Sequence, residues 1–320
     1  MRILALVPGG IGDQVLFFPT LDDLRGRYPE AEIDVVVEPR STAAYRVSKS
    51  HDKVIPFDFK DTNGPADWGN LLGIIRDREY DVAMSLGRRW GVGFLLWLTG
   101  IPVRIGYAAS PGKIFLSSPV ELASDQYAAA MYHDLVKGLG ITATCPDLKI
   151  SVPTADITWA EAEQERLGIK ESGYVLIHGG SSKRAQNLGI NKIYPVKQWQ
   201  QVIKDLQTRQ PNLPVAIVKG PDDSVFVDAI VALCPTIKVI SPTDIGKLAA
   251  IIAGANLMLC TDSAPMHLAV AVGTYTIALF GPTDPQRLLP NNGRSIAIKS
   301  RTDDIADIPP SDILEKIWKG

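Results

Sequence analysis

Cysteine is scarce in this 320-residue chain, and what there is does not pair. Cys145, Cys234 and Cys260 are the whole set. An odd number, widely spaced and without a Cys-x-x-Cys, excludes a disulfide framework and a thiolate zinc site, and fits a reducing cytoplasm. Charge of one sign is also lacking. Lys and Arg total 33 against 35 Asp and Glu, a net charge of -2, without the basic excess of a dedicated nucleic-acid binder. No apolar run reaches the roughly 20 residues of a membrane-spanning helix. The longest, 91–103 and 268–280, are 13 residues each and contain glycine. The apolar run 3–7 follows Arg2 but is stopped by Pro8-Gly9-Gly10 and Asp13, too early for a signal peptide. Three motifs are missing as well: Gly-x-x-x-x-Gly-Lys-Ser/Thr, Gly-x-Ser-x-Gly and Asp-x-Asp. Their absence speaks against a P-loop NTPase, a nucleophile-elbow hydrolase and the carboxylate pair that commonly holds a metal on a nucleotide sugar. No metal and no resident cofactor are expected.

What is present is an ordinary globular composition, 46% hydrophobic and 21% charged, in a chain long enough for two domains. Short apolar runs at 2–7, 33–37, 54–57, 81–85 and 103–107 read as buried strands. Amphipathic stretches at 16–28, 41–48, 68–78 and 90–98 alternate with them as helices. The pattern resumes after a Pro-containing break at 142–154. Strands are expected at 174–178, 215–219, 238–240, 257–261 and 276–280, and helices at 159–167, 195–208, 224–233, 245–253 and 265–272. Such alternation implies βαβ units and mainly parallel sheets. The expected architecture is therefore α/β: two doubly wound, Rossmann-like domains, 1–153 and 154–320, facing a cleft. A last helix, 311–319, is expected to have Ser311 as its N-cap.

Ligands of such sheets bind beyond the carboxyl ends of the strands, so the residues after each strand carry the functional reading. After the first strand comes Pro8-Gly9-Gly10-Ile11-Gly12-Asp13. The third glycine of a dinucleotide fingerprint is missing, and a carboxylate there would repel a pyrophosphate. Asp13 suits a base facing a neutral hydroxyl, or a cap on the helix that follows. After the first strand of the second domain, His178-Gly179-Gly180-Ser181-Ser182 offers amides and hydroxyls for phosphate oxygens, and Lys192 before the next helix supplies a point charge. Thr261-Asp262-Ser263-Ala264-Pro265-Met266-His267 places a cap, Asp262 or Ser263, and small residues where a diphosphate could meet a helix N-terminus. Between Leu248 and Thr283 the only formal charge is Asp262, and a buried carboxylate needs a partner. Two stretches are basic and free of acid: 82–120, with Arg88, Arg89, Arg104 and Lys113, and 172–204, with Lys183, Arg184, Lys192, Lys197 and Lys204. Both suit an anionic ligand.

Together these residues resemble glycosyltransferase family 9, the ADP-heptose:lipopolysaccharide heptosyltransferases. The most specific part is Asp262-Ser263-Ala264-Pro265-Met266-His267-Leu268-Ala269 through Phe280-Gly281-Pro282-Thr283. It is similar to the family's Asp-Thr/Ser-Gly-x-x-His-x-Ala block and its Phe-Gly-x-Thr tail. Gly12-Asp13, His178-Gly179-Gly180 and Lys192-Ile193-Tyr194-Pro195 are similar to its Gly-Asp, His-Pro-Gly and Lys-x-Trp/Tyr-Pro, with Ala264 and Gly179 departing from the family pattern. The resemblance implies a GT-B fold, with acceptor in the first domain and donor in the second. It implies an inverting, metal-independent transfer from a nucleoside-diphosphate sugar such as ADP-heptose to a glycan or glycolipid of the cell envelope. The last helix is then expected to pack on the first domain.

On this reading Asp13 is the base and Lys192 the cation that offsets the leaving group. His178, Gly180, Ser181, Ser182, Asp262, Ser263, Ala264 and His267 hold the donor, and Asp222 or Asp223 reaches its nucleoside. Gly12, Arg88 and Arg89 meet an anionic acceptor, with peripheral contact at the cytoplasmic face of the inner membrane. The stretch 88–98 reads either as a core helix with a charged start or as a membrane-surface element. Two alternatives remain open: a non-catalytic nucleotide-sugar-binding protein on the same fold, and an NAD-dependent oxidoreductase.

Overall fold

The structure is a computed structural model that describes residues 1–59, 63–109, 111–180 and 189–319. It divides into two compact units, Met1–Ser151 and Val152–Gly320, each built on a six-stranded sheet in which every pairing is parallel.

In the first unit the strands are β1 (Arg2–Val7), β2 (Glu32–Val37), β3 (Lys53–Pro56), β4 (Val82–Ser85), β5 (Val103–Tyr107) and β6 (Ser118–Val120), in the order β3-β2-β1-β4-β5-β6. The helices are α1 (Ile11–Arg27), α2 (Pro65–Asp77), α3 (Trp90–Thr99) and α4 (Ala128–His133). Residues Ile3 to Val7 are fully buried, as a central strand covered by helices on both faces requires.

The second unit repeats the arrangement. Its strands are β7 (Val175–His178), β8 (Val215–Val218), β9 (Lys238–Ile240), β10 (Leu257–Thr261), β11 (Thr276–Phe280) and β12 (Ser295–Lys299), ordered β12-β11-β10-β7-β8-β9. Counted from its own first strand this is again 3-2-1-4-5-6. Its described helices are α5 (Thr154–Leu167), α6 (Val196–Arg209), α7 (Ser224–Leu233), α8 (Ile245–Ala253), α9 (Ala264–Val272), α10 (Pro285–Leu288) and α11 (Pro310–Lys319). Each sheet has one place where the chain's winding reverses: between β1 and β4, and between β7 and β10. There the following loops diverge and open a crevice.

The elements differ from the sequence expectation in ways that bear on the site. Helix α1 starts at Ile11, not at 16, so Gly12 and Asp13 lie in its first turn. The helix expected at 41–48 is a 3-10 segment, Pro39–Val47. β6, β12 and α4 were not expected; the two strands lie at sheet edges, where only part of each residue is buried and the apolar signal fades. Helix α11 begins at Pro310, so Ser311 is inside the first turn rather than its N-cap, with its hydroxyl toward Asp312. Within its own unit the helix packs on α6. Ile313 is buried, Trp318 Nε1 donates to Asp205 Oδ1 at 2.8 Å, and the Arg209 guanidinium lies 5.3 Å from the Trp318 ring.

Candidate functional site

In the first unit the chain leaves β1 through a glycine turn that a ring of polar side chains holds in place. Gly9 has φ +141, and a Cβ on it would fall 2.3 Å from Asp13 Oδ2. The position needs glycine on both counts. The carboxylate of Asp13 reaches back over the turn, where Oδ2 accepts the Gly10 N–H at 2.7 Å. Its other oxygen, Oδ1, accepts from the Tyr132 hydroxyl at 3.0 Å. Beneath it, buried Gln14 donates to Val7 O at 2.9 Å, the Tyr45 hydroxyl donates to Gln14 Oε1 at 2.9 Å, and Ser41 Oγ donates to Gly9 O at 2.8 Å. Burial pushes the Tyr45 hydroxyl well above the usual phenol range, so it stays a donor. Asp13 is thus both a first-turn cap and a partly exposed carboxylate whose oxygens retain acceptor capacity. Gly12 sits beside it, half-buried. Arg88 and Arg89 follow β4, the neighbour of β1 across the winding reversal, and both are exposed.

In the second unit the corresponding reversal gathers more of the expected residues. His178, the last residue of β7, is buried. Its Nδ1 lies 3.2 Å from Ser263 Oγ, and its Nε2 lies 3.4 Å from Asp223 Oδ2. Asp223 is buried and also accepts the Gly220 N–H at 3.0 Å. Burial alone would raise its carboxyl; the His178 hydrogen bond and charge, with the Gly220 N–H, outweigh this and hold it below the ordinary carboxylate value. The two candidates left open by spacing therefore separate: Asp223 belongs to the buried cluster and Asp222 is exposed at the surface. Gly180 is dictated by the same carboxylate, since a Cβ there would lie 1.8 Å from Asp223 Oδ1.

The lone charge of the apolar stretch finds its partner. Lys192 Nζ lies 2.5 Å from Asp262 Oδ2, the lysine side chain 20% exposed and the aspartate 5%. Tyr194 places the lysine: it is fully buried, donates to Ile308 O at 2.7 Å and packs edge-on against Trp199. Ser263 occupies the N-cap position of α9 but does not cap it. Its hydroxyl donates to Thr261 O at 3.1 Å and faces His178. Among the described residues the N-cap side chain makes no hydrogen bond to the first turn of α9; the partial positive charge of that helix end lies next in the chain to Asp262, the partner of Lys192, with half-buried Ala264 as the first helical residue. Thr261 Oγ1 donates to Gly180 O at 3.3 Å and ties the end of β10 to the glycine loop. His267 lies one turn into α9, buried. Ser181 and Ser182 lie outside the described residues.

Sequence reasoning missed Tyr132, Gln14, Tyr45 and Ser41. Tyr132 is 119 residues from Asp13, and no local pattern marks such a pairing. Among the described residues no three His, Cys, Asp or Glu side chains come together as a metal site.

A family model described as glycosyltransferase family 9 (heptosyltransferase) matches residues 69–317. Lipopolysaccharide heptosyltransferase 3 of Escherichia coli is 26% identical over 292 residues, 85% of this chain and 81% of that protein. The chloroplast protein photosynthetic NDH subunit of subcomplex B 1 of Arabidopsis thaliana is 24% identical over 335 residues, 96% of this chain and 71% of that protein. The solved structure of E. coli heptosyltransferase WaaC with ADP-2-deoxy-2-fluoro heptose matches at a TM-score of 0.77 and 18% identity, covering 100% of this chain and 99% of that one. At that identity the match speaks for the fold, two Rossmann-like units of the GT-B class.

Proposed function

The chain belongs to glycosyltransferase family 9, and from that premise we propose that it moves a heptose, or a sugar like it, from a nucleoside-diphosphate donor such as ADP-heptose to a lipopolysaccharide-core or other lipid-linked glycan acceptor of the cell envelope. The transfer is a single displacement that inverts the anomeric carbon and uses no metal. Asp13 takes the proton of the acceptor hydroxyl as its oxygen bonds to the anomeric carbon; the bond from that carbon to the diphosphate oxygen breaks, and the nucleoside diphosphate leaves. General-base help of this kind contributes about 10²–10⁴-fold. The charge that grows on the diphosphate meets the Lys192 ammonium and the open first turn of α9, which are fixed before reaction begins. Lys192 has three N–H donors, enough to keep Asp262 while it reaches a phosphate oxygen.

The observation that carries this reading is the Lys192–Asp262 pair beside the uncapped α9 N-terminus, at the reversal of the second sheet. A nucleotide screen by thermal shift tests it. ADP and ADP-sugars should raise the melting temperature, since a ligand at 100 times its Kd adds about 2.7 kcal/mol. No shift with any nucleoside diphosphate or its sugars would remove the donor site. A second reading, a nucleotide-sugar-binding protein without catalysis, is favoured by one feature: both oxygens of Asp13 already accept hydrogen bonds, as a purely structural cap would. Turnover separates the two.

A further inference from the structure

Helix α3 carries no charged residue and is apolar all round, Trp90-Gly-Val-Gly-Phe-Leu-Leu-Trp-Leu-Thr99. A helix of that composition ordinarily lies wholly in a core or against lipid. Here Val92, Leu95 and Leu96 face the core while Trp90 is 61% exposed and Trp97 51%. The exposed side continues onto the 3-10 turn Pro111–Phe115, where Ile114 is 77% exposed. The rings interlock: Trp90 on Phe94 at 6.0 Å, Phe94 on Trp97 at 5.9 Å, and Phe115 against both Phe94 and Trp97 at 5.4 and 6.0 Å. Arg104 fastens the turn from behind, donating to Phe115 O at 2.8 Å and Ile101 O at 2.5 Å, and Gly93 lets the turn approach the helix, since a Cβ there would lie 2.6 Å from Gly112 O. Exposed Arg89 and Lys113 come from the helix start and from the turn, in a stretch, 82–120, without an acid.

We propose that this aromatic face of α3 and the 111–115 turn docks the protein on an anionic lipid bilayer. Tryptophan beside basic residues is the composition of a surface that lies in the headgroup region, and Arg89 and Lys113 complement anionic headgroups. A second copy of this chain fits less well, because an isologous contact would set the same cations against each other. No described helix is long and apolar enough to cross the membrane, so the contact is peripheral. The inference rests on the proposed transfer only for its purpose, delivery of a lipid-borne acceptor.

Flotation with phosphatidylcholine vesicles, with and without phosphatidylglycerol, tests it. The protein should float with the phosphatidylglycerol vesicles, blue-shift its tryptophan emission there, and detach at high salt. Arg89→Ser/Lys113→Ser should weaken binding by about tenfold or more, since each basic residue near the surface is worth about fivefold, and Trp90→Ser/Trp97→Ser/Ile114→Ser should abolish it. The same preparations titrated with ADP report whether the variants are folded and whether the donor site exists. A wild-type protein that stays unbound, or binding that both variants retain, would overturn the proposal. So would self-association without lipid that the aromatic substitutions abolish, which would assign the face to a second copy. Absent ADP binding with intact flotation would sink the donor reading and leave the docking face standing.

Discussion

Lys192 and Asp262 are coupled, and any substitution of one exposes the other. Asp262 is 5% exposed, so Lys192→Ala leaves a buried carboxylate without its cation. Breaking such a pair costs about 3–5 kcal/mol when it is fully buried; the partial exposure of Lys192 puts the expected loss at or below about 3 kcal/mol by that scale. The same variant should bind ADP about tenfold or more weakly, through loss of a charge-assisted hydrogen bond. Lys192→Ala/Asp262→Ala should recover most of the stability and none of the affinity. Urea unfolding with calorimetry reads both, and recovered affinity would mean the lysine only neutralises Asp262. Asp223 gives a pH signature. Its carboxyl is held below the ordinary 3.8, so its contribution is whole above that value and is lost as the pH falls through the lower folded value. Asp223→Asn should therefore be less stable at neutral pH and should lose less stability below about pH 4 than the parent. Parallel acid-unfolding curves would refute the role given to His178.

Two glycines of α3 separate packing from propensity. Gly93→Ala would put a methyl 2.6 Å from the Gly112 carbonyl oxygen, a backbone atom that cannot step aside. We expect about 1–3 kcal/mol of lost stability from the forced separation of helix and turn. A Cβ at Gly91 meets nothing within 4 Å, and Gly91→Ala should be neutral or slightly stabilising. Equal melting temperatures for the two would contradict the close approach that shapes the aromatic face. The elements differ in how legible they were. Central strands such as β1, β10 and β11 are uninterrupted apolar runs because both sheet faces are covered, and their ends are plain in the sequence. The edge strands β6 and β12 are short and only partly buried, with a single buried residue each, and gave no such signal. The candidate site was legible in its position, at or just after strand ends: Gly12-Asp13, His178, and Asp262-Ser263. Links across the fold were not. Nothing local joins Tyr132 to Asp13, fixes Asp223 rather than Asp222 against His178, or turns the Ser263 hydroxyl away from the helix it precedes.

At the scale of the whole chain, the same sheet order occurs twice without a short internal repeat, and Asp13 in the first unit and His178 and Asp262 in the second follow or end strands beside the place where winding reverses. On the proposed reading the base, Asp13, belongs to the first unit and the cation, Lys192, to the second. Because the charges proposed to assist the leaving group are side-chain and backbone groups, turnover should survive EDTA; loss of activity restored by magnesium or manganese would refute a metal-independent transfer. The central claim is that Asp13 acts in turnover and not in donor binding. The direct measurement is release of ADP from ADP-heptose in the presence of a lipopolysaccharide-core acceptor, by the parent and by Asp13→Asn, with ADP affinity taken by calorimetry on the same preparations. The account predicts a fall of at least about 10²-fold in rate for Asp13→Asn with an unchanged Kd for ADP. A variant that turns over near the parental rate would contradict it.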